Sequence, residues 1–224
     1  MEGKLITLEG LDGSGKATQT ELLCRELINR RLNLRRVSFP NYDDSSSTLV
    51  KMYLKGEFGT NPNDVNPYAA SSFFAVDRYA SYKKYWGKDY ANGVLIVADR
   101  YTTSNIVFQL SKIPKKNWND FINWIEDYEY GKLKLPRPNK TIYLNMPINV
   151  SQKLLNVRYH GIENKKDIHE SNETFLKACY ESGLYAAKKL NWKVINCAEG
   201  EKPKTIEHIH KEIMQEIDSI LNEL

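Results

Sequence analysis

Hydrophobic and polar positions divide this chain into alternating short apolar runs and longer segments with a helical period. Lys4-Leu5-Ile6-Thr7-Leu8-Glu9 predicts a buried strand. A glycine-rich turn, Gly10 to Gly15, follows it. Leu22, Leu23, Leu27 and Ile28 then mark one face of a helix over Thr18 to Arg31. Leu34 to Phe39 predicts a second strand, stopped by Pro40. Asn41 to Ser47 and Asn61 to Asn66 are polar loops, with a short helix at Thr48 to Leu54 between them. Tyr68 to Trp86 predicts a long aromatic helix. Val94 to Ala98 is a continuous apolar run after Asn92-Gly93, as a central parallel strand buried on both faces requires. Thr141 to Leu144 and Lys193 to Asn196 predict two more strands. Helices are expected at Trp118 to Tyr128, Val150 to Arg158, Glu173 to Leu190 and Ile206 to Leu224. The alternation argues for an α/β fold, a doubly wound parallel sheet of five strands flanked by helices. His160 to Asn172 has no apolar period, and residues 158–172 are expected to form a mobile lid.

Composition narrows the class. With 224 residues and 41% hydrophobic content, the chain suits one domain over 1–224. No run approaches the ~20 apolar residues of a membrane helix, and the N-terminus has no signal-peptide pattern; a cytoplasmic protein with no membrane partner is expected. Cys24, Cys179 and Cys197 are scattered and unpaired in motif, which argues against a metal cluster or a disulfide framework. A net charge of +4 is too mild to point to nucleic acid, though it suits polyanionic ligands.

Between the first strand and the first helix lies Gly10-Leu11-Asp12-Gly13-Ser14-Gly15-Lys16, which has Walker A spacing. Glycines let the backbone curl so that its N–H groups converge on phosphate oxygens. The helix behind presents its positive end to the same anion, and Lys16 adds a full charge near the β and γ phosphates. Gly10, Asp12, Gly13, Ser14, Gly15, Lys16, Ala17 and Thr18 are therefore the candidate ATP-binding residues. The motif normally has Ser or Thr after the lysine, where the hydroxyl ligates Mg²⁺. Ala17 stands there instead. Thr18 lies about 100° further round the helix and is expected to face the α-phosphate. Mg²⁺ would then be held by phosphate oxygens, water and Asp99.

With that loop in place, the sequence resembles thymidylate kinases. The likeness runs through Gly10 to Gln19, Phe39-Pro40, Phe74-Ala75-Val76-Asp77-Arg78, Asp99-Arg100-Tyr101 with Ser104 and Phe108-Gln109, and Tyr143 to Pro147, in the family's order. It implies that ATP phosphorylates dTMP. Phe74 would stack on thymine, Arg78 would donate to a thymine carbonyl, and Ser104 and Gln109 would complete recognition of the base edge. Phe39 and Phe108 would also contact the acceptor nucleotide. Asp12 would accept from the sugar 3′-hydroxyl, Arg100 would hold the acceptor phosphate, and Asp99 would orient Arg100 or metal-bound water. Each residue also has an ordinary counterpart: Phe74 as a core aromatic, Arg78 as a solvated helix arginine, Ser104 and Gln109 as helix-surface or capping residues, Asp12 as a turn residue, Asp99 as a salt-bridge partner. The family is usually dimeric, so a homodimer is expected.

The resemblance has gaps. Lacking an arginine inside the phosphate loop, the chain is expected to supply charge from the lid, by Arg158 first and Lys165 and Lys166 as further candidates. After Phe39-Pro40 comes Asn41-Tyr42-Asp43-Asp44, without the acidic–arginine pair of other members, and Asn145 replaces the usual aspartate. Two other readings stand beside the main one. A deoxynucleoside kinase would need a carboxylate base, Glu9 or Asp99, for a neutral 5′-hydroxyl. A regulatory nucleotide-binding protein would bind ligand without turnover.

Overall fold

The protein is represented here by a computed structural model that describes residues 2–158 and 167–221, with backbone alone at Arg158. Five strands, β1 (Leu5–Glu9), β2 (Leu34–Ser38), β3 (Leu95–Asp99), β4 (Lys140–Asn145) and β5 (Lys193–Asn196), form one parallel sheet in the order β2-β3-β1-β4-β5. All five coincide with the expected apolar runs. Because β1 and β3 are buried at every position, their side chains feed two cores, one on each face.

On one face, Ile6, Leu8, Val97, Ile142 and Leu144 pack against Leu23 and Leu27 of α1 (Lys16–Asn29) and against Ile213 and Ile217 of the closing helix. On the other face, Leu5, Ile96 and Ala98 meet Trp86, Tyr90 and Tyr101, and Tyr143 meets Val107, Phe175 and Cys179. The three cysteines are buried free thiols. A two-residue-per-strand antiparallel hairpin, β6 (Ala198–Glu199) and β7 (Lys202–Pro203), precedes the closing helix; its strands were too short to be read from the sequence.

The remaining helices flank the sheet. They are α2 (Thr48–Leu54), α3 (Pro67–Ser81), α4 (Gly87–Ala91), α5 (Thr102–Leu110), α6 (Trp118–Ile125), α7 (Ile148–Arg158), α8 (Glu173–Lys189) and α9 (Ile206–Leu221). The expected helix over 68–86 is α3 continued by a π-helical turn, Tyr82–Trp86. The expected helix over 118–128 is α6 continued by another, Glu126–Lys132. α5 was not expected from the sequence: every residue but Ser104 is buried, polar Thr102, Thr103, Asn105 and Gln109 included, so no wet face marks it. It runs through the middle of the molecule, packed on α3, α6 and α8.

α8 approaches β4 closely at Gly183. A methyl group there would collide with Tyr143 Oη and stand 3.0 Å from Cζ, and the Tyr143 ring is too buried to swing away. Gly183→Ala is expected to cost about 1–3 kcal/mol, the usual range for overpacking. Thermal denaturation would read this as a fall of several degrees, partly restored when Tyr143→Phe removes the hydroxyl.

Candidate functional site

Sequence order along β1 dictates the first half of the site. The strand ends at Glu9, and the chain must reverse tightly into α1. Gly10, Gly13 and Gly15 all take positive φ (150°, 77° and 87°), which other residues adopt only with strain. Gly13 is constrained twice, since a Cβ there would collide with Ser151 O on α7. α1 then begins at Lys16 with no side chain capping its first turn, so its N–H groups are left open to an anion. Lys16 is 7% exposed and donates to Leu11 O at 2.7 Å, with Asp12 at 3.9 Å. Burial, seconded by repulsion from Arg100, pulls its ammonium down to about 8 despite the nearby carboxylates. Ala17 and Thr18 are exposed beside the cleft, and Ser14 is buried within the loop.

β3 supplies the second half. It ends at Asp99, and the next residue, Arg100, takes a left-handed conformation, φ 65°. Such a conformation in a non-glycine residue persists only where its surroundings hold it. Here Arg100 Nη1 donates to Glu9 Oε1 (3.2 Å) and to Ser104 Oγ (3.3 Å), and Nη2 donates to Asp12 Oδ1 (2.6 Å). The guanidinium carbon lies 5.0 Å from the centre of the Phe108 ring. Burial opposes charge on Asp12, but Arg100 and Lys16 outweigh it and hold the carboxyl at about 2. The same frame answers the sequence alternatives for Asp12: it is bonded to Arg100, beyond any role in the turn.

Glu9 is fully buried and all its capacity is spent. Oε1 takes Gly10 N and Arg100; Oε2 takes Thr103 Oγ1 (2.8 Å) and Ser104 Oγ (2.7 Å). Ser104 was expected at the base edge. Its one hydrogen goes to Glu9 instead, so its place is in the frame that holds Arg100.

Facing these groups across the cleft stand Phe74 and Arg78 of α3 and Phe108 and Gln109 of α5. Arg78 is 1% exposed, which removes its reading as a solvated arginine. It forms a two-bond fork with Glu129: Nε to Oε2 at 2.7 Å and Nη2 to Oε1 at 2.6 Å. Phe74 is half-buried, edge-on to Tyr53. Phe39 is buried against Tyr101 and also lines the cleft. The Gln109 amide, beside the Tyr53 hydroxyl, makes no hydrogen bond of good geometry among the described residues.

Other residues enter without having been expected. Asn105 lines the cleft one turn before Gln109. Tyr42 lines it from the loop after Pro40. That loop is tied down by Asp77, which accepts from Asn41 N (2.9 Å) and Ser46 Oγ (2.6 Å), and by Asp44, which pairs with Lys84 and Tyr85. Asp167 and His169 reach the cleft from the end of the lid segment. Burial raises Asp167 to about 7, and burial with Lys112 nearby pushes His169 down to about 3. Asn105 sits in a helix with no visible period, and Asp167 and His169 in a polar stretch, so pattern could not single them out. Tyr42 had a signal in its position after Phe39-Pro40. Arg158 ends α7 with its side chain outside the described part, and Lys165 and Lys166 lie outside the described residues.

All these groups surround one cleft of about 950 Å³ at the carboxyl ends of β1 and β3, the usual ligand crevice of an open α/β sheet. At the end away from α3 it is closed by Met146, Pro203, Lys204, Ile206 and Ile209. The geometry thus offers a polyanion cradle, an arginine fixed opposite it, and an aromatic wall with an arginine beyond.

Comparison with known proteins agrees with that arrangement. A family model described as thymidylate kinase matches residues 8–213. The chain is 27% identical to a thymidylate kinase of Plasmodium falciparum over 222 residues, covering 98% of this chain and 91% of that one. It is 28% identical to one of Schizosaccharomyces pombe over 185 residues, 81% of each. Among solved structures it is similar in fold to a thymidylate kinase of Candida albicans, with TM-score 0.71, 21% identity, and coverage of 100% of this chain and 94% of the other.

The depressed Lys16 gives a test of the cradle. A bound polyanion must raise its pKa again, so between about pH 8 and 10 the ligand-free lysine is partly neutral and the liganded one is charged. Binding of a nucleoside triphosphate at pH 8.5–9 is therefore expected to take up protons. Calorimetry in two buffers of different ionisation enthalpy measures the uptake, and Lys16→Ala should abolish it.

Proposed function

This chain belongs to the thymidylate kinase family, matched over residues 8–213, and on that premise we propose that its cleft transfers the γ-phosphoryl group of ATP to dTMP. The observation that carries the reading is the single cleft joining the Gly10–Lys16 loop to the Phe74, Arg78 and Arg100 wall. Its volume is at the upper end for small-molecule sites and suits two nucleotides end to end.

The loop N–H groups, the start of α1 and Lys16 hold the donor phosphates. Arg100, fixed by Glu9 and Asp12, meets the acceptor phosphate. Because that phosphate has a second pKa near 6, it is largely a dianion at pH 7 and already nucleophilic. No side chain has to take a proton, and catalysis reduces to alignment and charge neutralisation. Phe74 stacks on the base; stacking of this kind is worth about 1–3 kcal/mol. Tyr42 lines the cleft from the loop after Phe39-Pro40. The lid, 158–172, closes over the phosphates and excludes water.

Magnesium fits the site as a phosphate-held ion. Ala17 has no hydroxyl, and among the described residues no cluster of three or more ligating side chains exists. Asp99, 7% exposed at the end of β3 and lining the cleft, would hold it together with water and phosphate oxygens. When bound, the ion neutralises charge developing on the β and γ oxygens.

Glu9 weighs against the deoxynucleoside kinase reading. That reading needs an accessible carboxylate base, Glu9 or Asp99; Glu9 is buried and saturated by four donors, which leaves only Asp99 for that task. No helix among the described residues is long and apolar enough to cross a membrane, and we place the enzyme in the cytoplasm. A homodimer fits the outward face of α3, where Val76 is 49% and Tyr79 37% exposed.

Lys16→Ala and Arg100→Ala are each expected to lower kcat by about a hundredfold or more, the scale of losing one group that binds transition-state charge; Arg100→Ala should also lower the melting temperature, because it leaves Glu9 buried without its cation. In a panel of nucleosides and nucleoside monophosphates with ATP and Mg²⁺, read by product mass, dTMP should be phosphorylated and thymidine should not.

A further inference from the structure

Glu129 takes no part in the chemistry above, yet its buried carboxylate accepts four hydrogen bonds, as many as Glu9 does. It lies in the π-helical turn Glu126–Lys132, an irregularity that recurs at functional sites. It is 0% exposed and does not line the cleft. Four donors converge on it: Arg78 Nε (2.7 Å), Arg78 Nη2 (2.6 Å), Thr102 Oγ1 (3.0 Å) and Asn105 Nδ2 (2.8 Å). A buried ion pair of this kind is poor value for stability alone, because desolvation offsets most of the attraction. Two of its partners, Arg78 and Asn105, line the cleft.

The hydrogen-bond chemistry of those two partners is then fixed. Arg78 has Nε and Nη2 committed to the carboxylate, which leaves Nη1, a donor only, for the cleft. Asn105 Nδ2 faces Glu129 Oε1 and Ser71 O (3.0 Å). Both are oxygens that only accept, so the amide has one permissible orientation, with Oδ1 turned away from them. The wall therefore presents a fixed donor beside a fixed acceptor.

We propose that Glu129 is a positioning residue that sets the hydrogen-bond polarity of the base wall, so that it accepts the imide edge of a 4-oxo pyrimidine and rejects the 4-amino edge of a cytosine. This rests on the reading of the cleft as a dTMP site. A thymine or uracil offers O4 as acceptor and N3–H as donor, matching Arg78 and Asn105. A cytosine offers an amino donor and a bare N3 acceptor, mismatched at both. A wall built to bond one pattern leaves its own buried groups unpaired against the other, and such mismatches discriminate far more strongly than shape. A carboxylate does this where an amide would not. Glutamine at 129 would bring an NH₂ that one of the converging donors must face, which would loosen the Arg78 fork and leave Ser71 O alone to hold the Asn105 amide.

The test is the ratio of kcat/KM for dTMP over dCMP, with ATP, in wild type, Glu129→Gln and Glu129→Asp. Glu129→Gln should lower the ratio by about tenfold or more, by raising KM for dTMP while kcat and KM for ATP change little. Glu129→Asp, which keeps an acceptor-only group, should restore part of it. A Glu129→Gln enzyme with an unchanged ratio and an unchanged KM for dTMP, losing only melting temperature, overturns the proposal and leaves a structural ion pair. Where Glu129→Gln does not fold, Asn105→Ala removes the acceptor with the Arg78–Glu129 pair intact. The ratio must fall there too, and an unchanged ratio also overturns the proposal. Wild-type protein that turns over neither nucleotide defeats the proposed function itself, whereas turnover of dTMP with an insensitive ratio defeats this inference alone.

Discussion

Arg100 is the residue on which the rest of the cleft depends. Its guanidinium ties together the end of β1 through Glu9, the phosphate loop through Asp12 and the start of α5 through Ser104. A positive charge withdrawn from water must be matched nearby, and two carboxylates within hydrogen-bond reach do so. The same contacts hold its backbone in the left-handed region, φ 65°. One fixed cation thereby sets the spacing between the donor cradle and the acceptor wall. Lys16 feels it too, since repulsion from Arg100 adds to burial in lowering the lysine's affinity for its proton. An empty cleft is thus under electrostatic stress that bound phosphates relieve.

The fold was legible because each strand is an uninterrupted apolar run and each outer helix has one wet face. α5 was not, because its surroundings are protein on nearly every side and a helix without a wet face has no period to read. The phosphate loop was legible from spacing, since glycine and lysine placement states a backbone geometry directly. Phe74, Arg78 and Arg100 came from the family resemblance, and the structure adds what no spacing could show: which acidic groups hold the arginines. Glu129 is 51 positions from Arg78 and Glu9 is 91 from Arg100. Pairs at that separation become neighbours only through the sheet order and the packing of α6 against α5. Ser104 shows the converse. Its place beside the cleft was legible, and its hydrogen bond to Glu9 was not.

The segment around His169, at the edge of the cleft, is held by a different kind of contact. His169 stacks on Phe108 with ring centres 5.5 Å apart and lies 2.8 Å from Tyr53 Oη, which in turn accepts from Lys112 Nζ at 2.8 Å. Phe108 therefore has Arg100 over one contact surface and His169 on another. The segment that begins at Asp167 is thus anchored on the same ring that carries the Arg100 guanidinium. Burial keeps that histidine neutral through the physiological range, so the anchor adds no charge to a cleft already crowded with cations.

Two layers thus divide the work. Residues that line the cleft, Arg100, Arg78 and Asn105, carry flexible or ambiguous polar groups; alone, each has several ways to present itself. Behind them stand Glu9 and Glu129, both fully buried and both acceptor-only, each bonded by four donors. A carboxylate is suited to that place because it cannot switch from acceptor to donor while ionised. Its cost in desolvation is recovered only if every lone pair is used, which is the condition both residues meet. Orientation of the cleft-lining groups is therefore set before any nucleotide arrives, and binding energy need not be spent on it.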